Sequence, residues 1–354
     1  MNYENESWSG KMPNIALKKD TNNYDEFFKT MLERQLIWKR RFIDKLPMPW
    51  TTDEIFKTGK FTNVYRSLDK NSMWEIEHII LDDTLDLRNL VWKTLFFRLF
   101  NNPATFESNA ATKIEYRNGI PSLEEFDKDE WLSYLKRFRH YGNNPFTSAY
   151  LISSVGDRDT HFACTVLPEF HKRIDELIER CRKAYDAQAL FKYLKTFTNV
   201  ADFMAFQLFM DLTYIDKFTD RNFMKVTEDS ATTIGPGSGL GLRLIYPSAQ
   251  TQYEQLTKLK NLRDESQQWF DEHREYGDFP YLHFNKANKQ FYISDVWNIT
   301  LSEIEQWLCE YAKYWKMKIG EGKQRQRFNP VTKGFKILGD NMVIQDDFKM
   351  PALF

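Results

Sequence analysis

Residues 199–215 read NVADFMAFQLFMDLTYI, a helix-length run that is apolar nearly all the way round. A helix with one apolar stripe can lie on a surface, whereas one without a polar face has to be enclosed by other elements. That constraint predicts many helices packed about this segment. The chain has the material for it: at 354 residues, 42% hydrophobic and 16% aromatic, it can build one large core or two ordinary ones.

Helical spacing recurs along the chain. The stretch YDEFFKTMLERQLIWKRRFIDKL (24–46) sets Phe27, Phe28, Met31, Leu32, Leu36 and Phe42 near one stripe before PMP ends it. Similar patterns cover 85–101, 122–139, 170–195, 248–273 and 300–317. Strand-like segments are confined to 149–155, 161–167 and a possible hairpin over 281–295 with an Asn-Lys turn. The predicted fold class is mainly α with a few short strands. Nothing resembling a repeat or linker divides it, so a loose polar arm is expected over 1–23, one helical domain over 24–318 and a basic tail over 319–354.

Several function classes drop out. There is no apolar run of membrane-spanning length and no signal-peptide pattern, which predicts a cytoplasmic protein without a membrane partner. Cys164, Cys181 and Cys309 lack CxxC spacing and the six histidines form no HExxH, so neither a disulfide framework nor a zinc site is supported. No GxSxG or strand-linked GxGxxG is present, and FKTGKFT (56–62) imitates the end of a P-loop with Glu54 where the first glycine belongs. Phosphates handled here would belong to a substrate. The net charge of −1 argues against an all-over basic surface, yet the basic runs 38–45 and 316–336 fit a phosphate-backbone partner.

Three segments hold candidate chemistry. In 199–215, Gln207, Asp211 and Tyr214 share one face. A buried carboxylate there is either a proton acceptor with raised proton affinity or a hydrogen-bonded structural group. In TLSEIEQWLCEYAKYWKMK, Thr300 and Glu303 form a capping box, and Ile304, Trp307, Leu308, Tyr311 and Trp315 point inward. Glu303, Gln306, Glu310 and Lys313 make an expected solvated stripe, with Cys309 between as a small hydrophobe or a nucleophile. In TTIGPGSGLGLRLIYP (232–247), Gly235, Gly237, Gly239 and Gly241 gather in a chain of only 14 glycines. They suit a phosphate cradle, a hairpin gripping DNA or a plain connector. Upstream, LFKYLKTFTNVADFMAF lies over the helix-hairpin-helix pattern of DNA glycosylases, with Thr198, Asn199 and Ala201 replacing its proline and glycines.

Beyond these, RQLIWKRR (34–41), PWTTDEIFKTGKFTNVYRSLDK (49–70), LFFRLFNNPATFE (95–107), DFMAFQLFMDLTY (202–214), IGPGSGLGL (234–242) and LCEYAKYWK (308–316) occur in one order. Together they resemble the helical domain shared by bacteriophage 5-hydroxymethyluracil DNA kinases and the α-glutamyl/putrescinyl thymine pyrophosphorylases, or amino acid:DNA transferases. The resemblance covers roughly residues 30–320 and implies a DNA-glycosylase-like helical fold with a degenerate helix-hairpin-helix. Stand-alone relatives without a P-loop replace the pyrophosphate of 5-(pyrophosphoryloxymethyl)uracil in DNA with the amine of an amino acid or polyamine. The implied partners are DNA carrying the modified thymine and a free amine donor, in an infected bacterium's cytoplasm. No protein-bound cofactor is implied, with Mg²⁺ on the substrate pyrophosphate as its natural companion. Ala312 stands where an acidic residue is expected.

That chemistry assigns roles. An extruded base needs stacking surfaces and a basic groove, for which Asn63, Tyr65, Gln207, Tyr214, Arg34 and Lys39 are candidates, with Phe203 and Trp307 as further stacking rings. A departing pyrophosphate needs N–H donors and positive charge, from Gly235, Gly237, Ser238 and Gly239 with Lys60, Arg66 and Arg243. The incoming ammonium must lose a proton, to Asp211 first or Glu310 second, with Lys313 alongside and Cys309 as a possible nucleophile toward C6 of the uracil. A non-catalytic DNA-binding partner of the kinase, or a true glycosylase, would use the same residues differently.

Overall fold

Asp20 opens the first helix by accepting a hydrogen bond from the Asn23 amide, so Thr21–Asn23, read as the end of a loose arm, form the first turn of α1 (Thr21–Phe42). The computed structural model describes residues 19–107, 119–147, 154 and 156–321. A loop leads to the short α2 (Glu54–Thr58), capped by Asp53, and to a 3-10 turn at Arg66–Leu68. Next, α3 (Lys70–Glu75) runs into a π turn (Ile76–Ile80), and α4 (Leu87–Phe100) and α5 (Lys128–His140) follow. Then come α6 (Arg158–His161), α7 (Leu167–Lys172), α8 (Ile174–Lys183), α9 (Ala187–Leu194) and α10 (Asp202–Phe218). After α11 (Pro236–Ile245) and α12 (Gln252–Glu272), the predicted hairpin appears as β1 (Tyr281–Asn285) paired antiparallel with β2 (Gln290–Ser294), Leu282 opposite Ile293. The chain closes on α13 (Leu301–Lys318).

The apolar segment is α10, buried from Met204 to Ile215 as its composition requires. It packs on α4, whose run Leu90–Phe100 is equally enclosed. Trp38, Trp92, Trp131 and Trp307 are among the largest fully buried side chains of the interior.

Local reading went astray in identifiable places. Residues 161–167, expected as a strand, are helical: a π turn over Phe162–Val166 joins α6 to α7. Phe162, Ala163, Val166 and Leu167 are the buried positions, which is helical spacing rather than alternation. The pattern over 170–195 is cut into α7, α8 and α9, the last started by Asp186 accepting from the Gln188 amide. Of the expected strand 149–155 only Ser154 lies among the described residues, as does only the beginning of the tail, to Glu321.

The glycine cluster is a helix, and packing explains its composition. Gly237 and Gly241, one turn apart on α11, face α13. A Cβ on Gly241 would sit 2.1 Å from the Leu308 carbonyl oxygen, and one on Gly237 would sit 2.5 Å from Cys309 Sγ. These glycines let two helix backbones approach where any side chain would separate them. Gly241→Ala is therefore expected to cost about 2–3 kcal/mol in chemical unfolding. Gly235→Ala, whose Cβ would have its nearest neighbour at 3.8 Å, should cost well under half of that.

Candidate functional site

Where α4 meets α10, each contributes a charged side chain to an apolar contact. Arg98 is bonded through Nε and Nη2 to both carboxylate oxygens of Asp211, the Nη2–Oδ1 distance being 2.6 Å. The same guanidinium reaches Glu75 Oε2 at 3.1 Å and Asn101 Oδ1 at 3.0 Å. Burial, followed by the Asp211 charge, pushes the Glu75 carboxyl well above the usual range, so Glu75 holds its proton. Arg66 Nη2 lies 3.6 Å from Asp211 Oδ1, the oxygen that Arg98 Nη2 also bonds.

Around Arg66 the segment Lys60–Asp69 is sewn to its neighbours. Asn63 accepts from Arg34 Nη2 of α1 at 2.7 Å, and its backbone N–H donates to Asp69 Oδ1 at 2.9 Å. From α13, Gln306 Nε2 donates to the Asn63 carbonyl at 2.7 Å, and Glu310 Oε2 accepts from the Thr62 amide at 3.2 Å and from Lys313 Nζ at 2.9 Å. Lys313 also donates to the Lys60 carbonyl. Burial pushes Asp69 up to about 6 against the pull of its hydrogen bond from Asn63 and the charges of Arg34 and Arg66. Burial likewise lowers Arg34 to about 10. At the rim, burial and then the charge of Lys60 depress the Lys70 ammonium, with Glu107 opposing.

The third part is Glu305, on α13. The residue keeps some solvent contact, but its carboxyl is enclosed enough that burial is the largest influence and carries it to about 7. The Ser238 hydroxyl, the Arg66 charge and the Gly235 amide, at the N-terminal end of α11, pull the other way. Cys309, one turn on, is an exposed residue whose sulfur lies against Gly237. Burial of the thiol, then Glu310 and Glu305, push it up to about 12, so it is a thiol at neutral pH.

Most of the sequence candidates thus meet around the Lys60–Asp69 segment: Arg34, Lys60, Asn63, Arg66, Asp211, Gly235, Ser238, Cys309, Glu310 and Lys313. Glu303 and Glu310 are buried rather than solvated, which corrects the expected outward stripe; Glu303 caps α13 and lies 3.9 Å from Lys217. Tyr65, Tyr214 and Trp307 are core residues, the first donating to Asn298 Oδ1 at 2.7 Å. Gln207 is buried one turn before Asp211, and Arg243 Nη1 lies near Gly239. Lys39 sits apart in a surface pair with Asp44, and Phe203 is exposed at the start of α10. In the turn between α9 and α10, Asn199 takes the left-handed conformation and the Thr198 amide donates to Glu169 Oε2 at 2.9 Å.

Glu75, Asp69, Arg98 and Glu305 are the site members that sequence reasoning passed over, and Gln306 was expected only as part of a solvated stripe. Arg98 had a visible signal, an arginine inside the apolar run LFFRLF. Glu305 had only its spacing one turn before Cys309. Among the described residues no group of three His, Cys, Asp or Glu is placed to hold a metal, and no helix is long and apolar enough to cross a membrane.

The family model for the helical domain of 5-hmdU DNA kinase matches residues 21–324, which include every residue of this site. The 5-hmdU DNA kinase of Bacillus phage SP10 is 26% identical over 250 residues, covering 66% of this chain and 38% of that protein. The chain therefore spans little more than a third of that relative's length. No solved structure matches.

Removing one partner of a buried pair strands the other. Asp211→Asn is expected to lower stability by about 3–5 kcal/mol, and the double variant R98M/D211L to recover only part of that loss because Glu75, Asn101 and Arg66 lose a partner, as measured by urea unfolding.

Proposed function

The chain belongs to the family of the 5-hmdU DNA kinase helical domain, and from that membership we propose that it is an enzyme of thymine hypermodification in DNA. It exchanges the pyrophosphate of a 5-(pyrophosphoryloxymethyl)uracil for the amine of an amino acid or polyamine. The amine nitrogen bonds to the exocyclic C5-methylene carbon, the carbon–oxygen bond breaks, and pyrophosphate leaves with the electron pair. The proton lost by the nitrogen passes to a carboxylate.

The observation that carries this reading is the setting of Glu305. It is a carboxyl with proton affinity near neutrality, beside the Arg66 cation and among the residues of the family match. Such a group can take the proton of a bound ammonium at physiological pH. Asp211, with both oxygens engaged by Arg98, serves instead to hold Arg66 in place. Arg66, Lys60 and Lys70 supply positive charge for the leaving pyrophosphate, which brings any Mg²⁺ with it. Cys309, whose thiol burial pushes up to about 12, packs on Gly237 and in this reading takes no covalent part; Cys309→Ala with near-normal turnover is expected. In this reading the turn between α9 and α10 stands in for the glycosylase hairpin, and its Thr198 amide is taken by Glu169 Oε2.

The test is to incubate the protein with DNA bearing the pyrophosphorylated base and a pool of amino acids and polyamines, then weigh the nucleosides released by digestion. A new amine-bearing thymidine is expected, reduced at least about a hundredfold by Glu305→Gln. Unchanged substrate with intact DNA binding would overturn the transferase reading in favour of a non-catalytic DNA-binding partner.

A further inference from the structure

Between α1 and α2, the segment Ile43–Thr51 carries two large apolar side chains outward, Leu46 at 49% and Met48 at 54% exposure. The segment is held in this shape by its own contacts. Trp50 Nε1 donates to the Leu46 carbonyl at 2.7 Å, and Arg40 Nη1 donates to the Trp50 carbonyl at 2.7 Å. The Arg41 guanidinium stacks over Trp50, 4.8 Å from the ring centre. Leu46 and Met48 thus project from a braced loop. Of the basic residues next to them in sequence, Lys39 is paired with Asp44 and Arg40 with Glu33, whereas Arg41 is the one stacked on Trp50 and Lys45 makes no ion pair among the described residues.

The loop connects α1, which carries Arg34 of the site, to α2, which is tied to α13. The charge of Arg41 is felt at Arg34, which holds Asn63. At the other end of the loop, Asp53 caps α2 and accepts from Tyr314 of α13 at 2.7 Å. A surface combining a braced apolar tip with flanking cations is complementary to stacked bases between phosphates.

We propose that Leu46 and Met48 form a wedge that enters a base step of the DNA substrate, while Lys45 and Arg41 contact the flanking phosphates. This rests on DNA being the substrate. The wedge opens the stack beside the target nucleotide, and the brace around Trp50 prevents the tip from folding away under load.

The test uses the full chain and a duplex with 2-aminopurine at the modified position, whose fluorescence rises on unstacking. Wild type is expected to raise the signal on binding. The variant L46S/M48S should bind within about threefold of wild type but leave the signal near that of free duplex. K45A should reduce the salt dependence of binding by about one phosphate contact. An equal rise with L46S/M48S, or binding by wild type with no rise, overturns the wedge while leaving the transferase reading intact. So does self-association of wild type that L46S/M48S abolishes without changing the signal, which would make the tip a protein contact. No binding of DNA at all removes the transferase reading along with the wedge.

Discussion

The ion pair between Arg98 and Asp211 is the interaction on which the arrangement of the site depends. α4 and α10 are apolar on almost every side, and apolar surfaces alone tolerate rotation and sliding. A bidentate guanidinium–carboxylate contact does not, because it fixes two planes and their separation. Its cost in desolvation is offset in part by the further bonds that the Arg98 guanidinium makes to Glu75 and Asn101. The placed carboxylate also draws Arg66, 3.6 Å from its Oδ1, and with it the segment that α1 and α13 hold by hydrogen bonds.

The resulting region brings together acids whose environments differ. Asp211 is engaged by Arg98, Glu75 keeps its proton, and Glu305 and Asp69 are carried toward neutrality by burial. Separating proton affinities among neighbouring carboxyls lets one hold charge while another exchanges a proton. The close packing of α11 on α13 contributes, since Gly237 and Gly241 bring the Gly235–Ser238 end of α11 against Glu305. The glycines act through helix approach, and the helix end they place faces a carboxyl of the same chain.

Much of the fold was legible in the sequence because it is encoded locally. The Thr300–Glu303 capping box, the alternation over 281–295 and the all-apolar run around Asp211 each specify an element without reference to distant residues. The errors arose where tertiary context decides. A short apolar run at 161–167 fits a strand or a buried helix equally well. Glycines near a proline suggest a loop, although the Gly237–Gly241 interval also marks a helix contact. Glu303 and Glu310 looked solvated because they lie off the apolar stripe of α13, but Lys217 and the Thr62–Asn63 backbone cover that side. Asp211 was singled out as an acid in an apolar helix; its partner Arg98, 113 positions away, was not, because no local spacing connects them.

The most direct measurement of the central claim, that Glu305 accepts the proton of the incoming amine, is the single-turnover transfer rate as a function of pH at saturating amine. A base must be ionised to act, and burial places this carboxyl at about 7. The rate should therefore climb about tenfold per unit as pH rises below 7 and bend toward a plateau above it, with Glu305→Gln slow and without that bend. A wild-type rate that is flat between pH 5 and pH 7, or a bend that persists in Glu305→Gln, would contradict it.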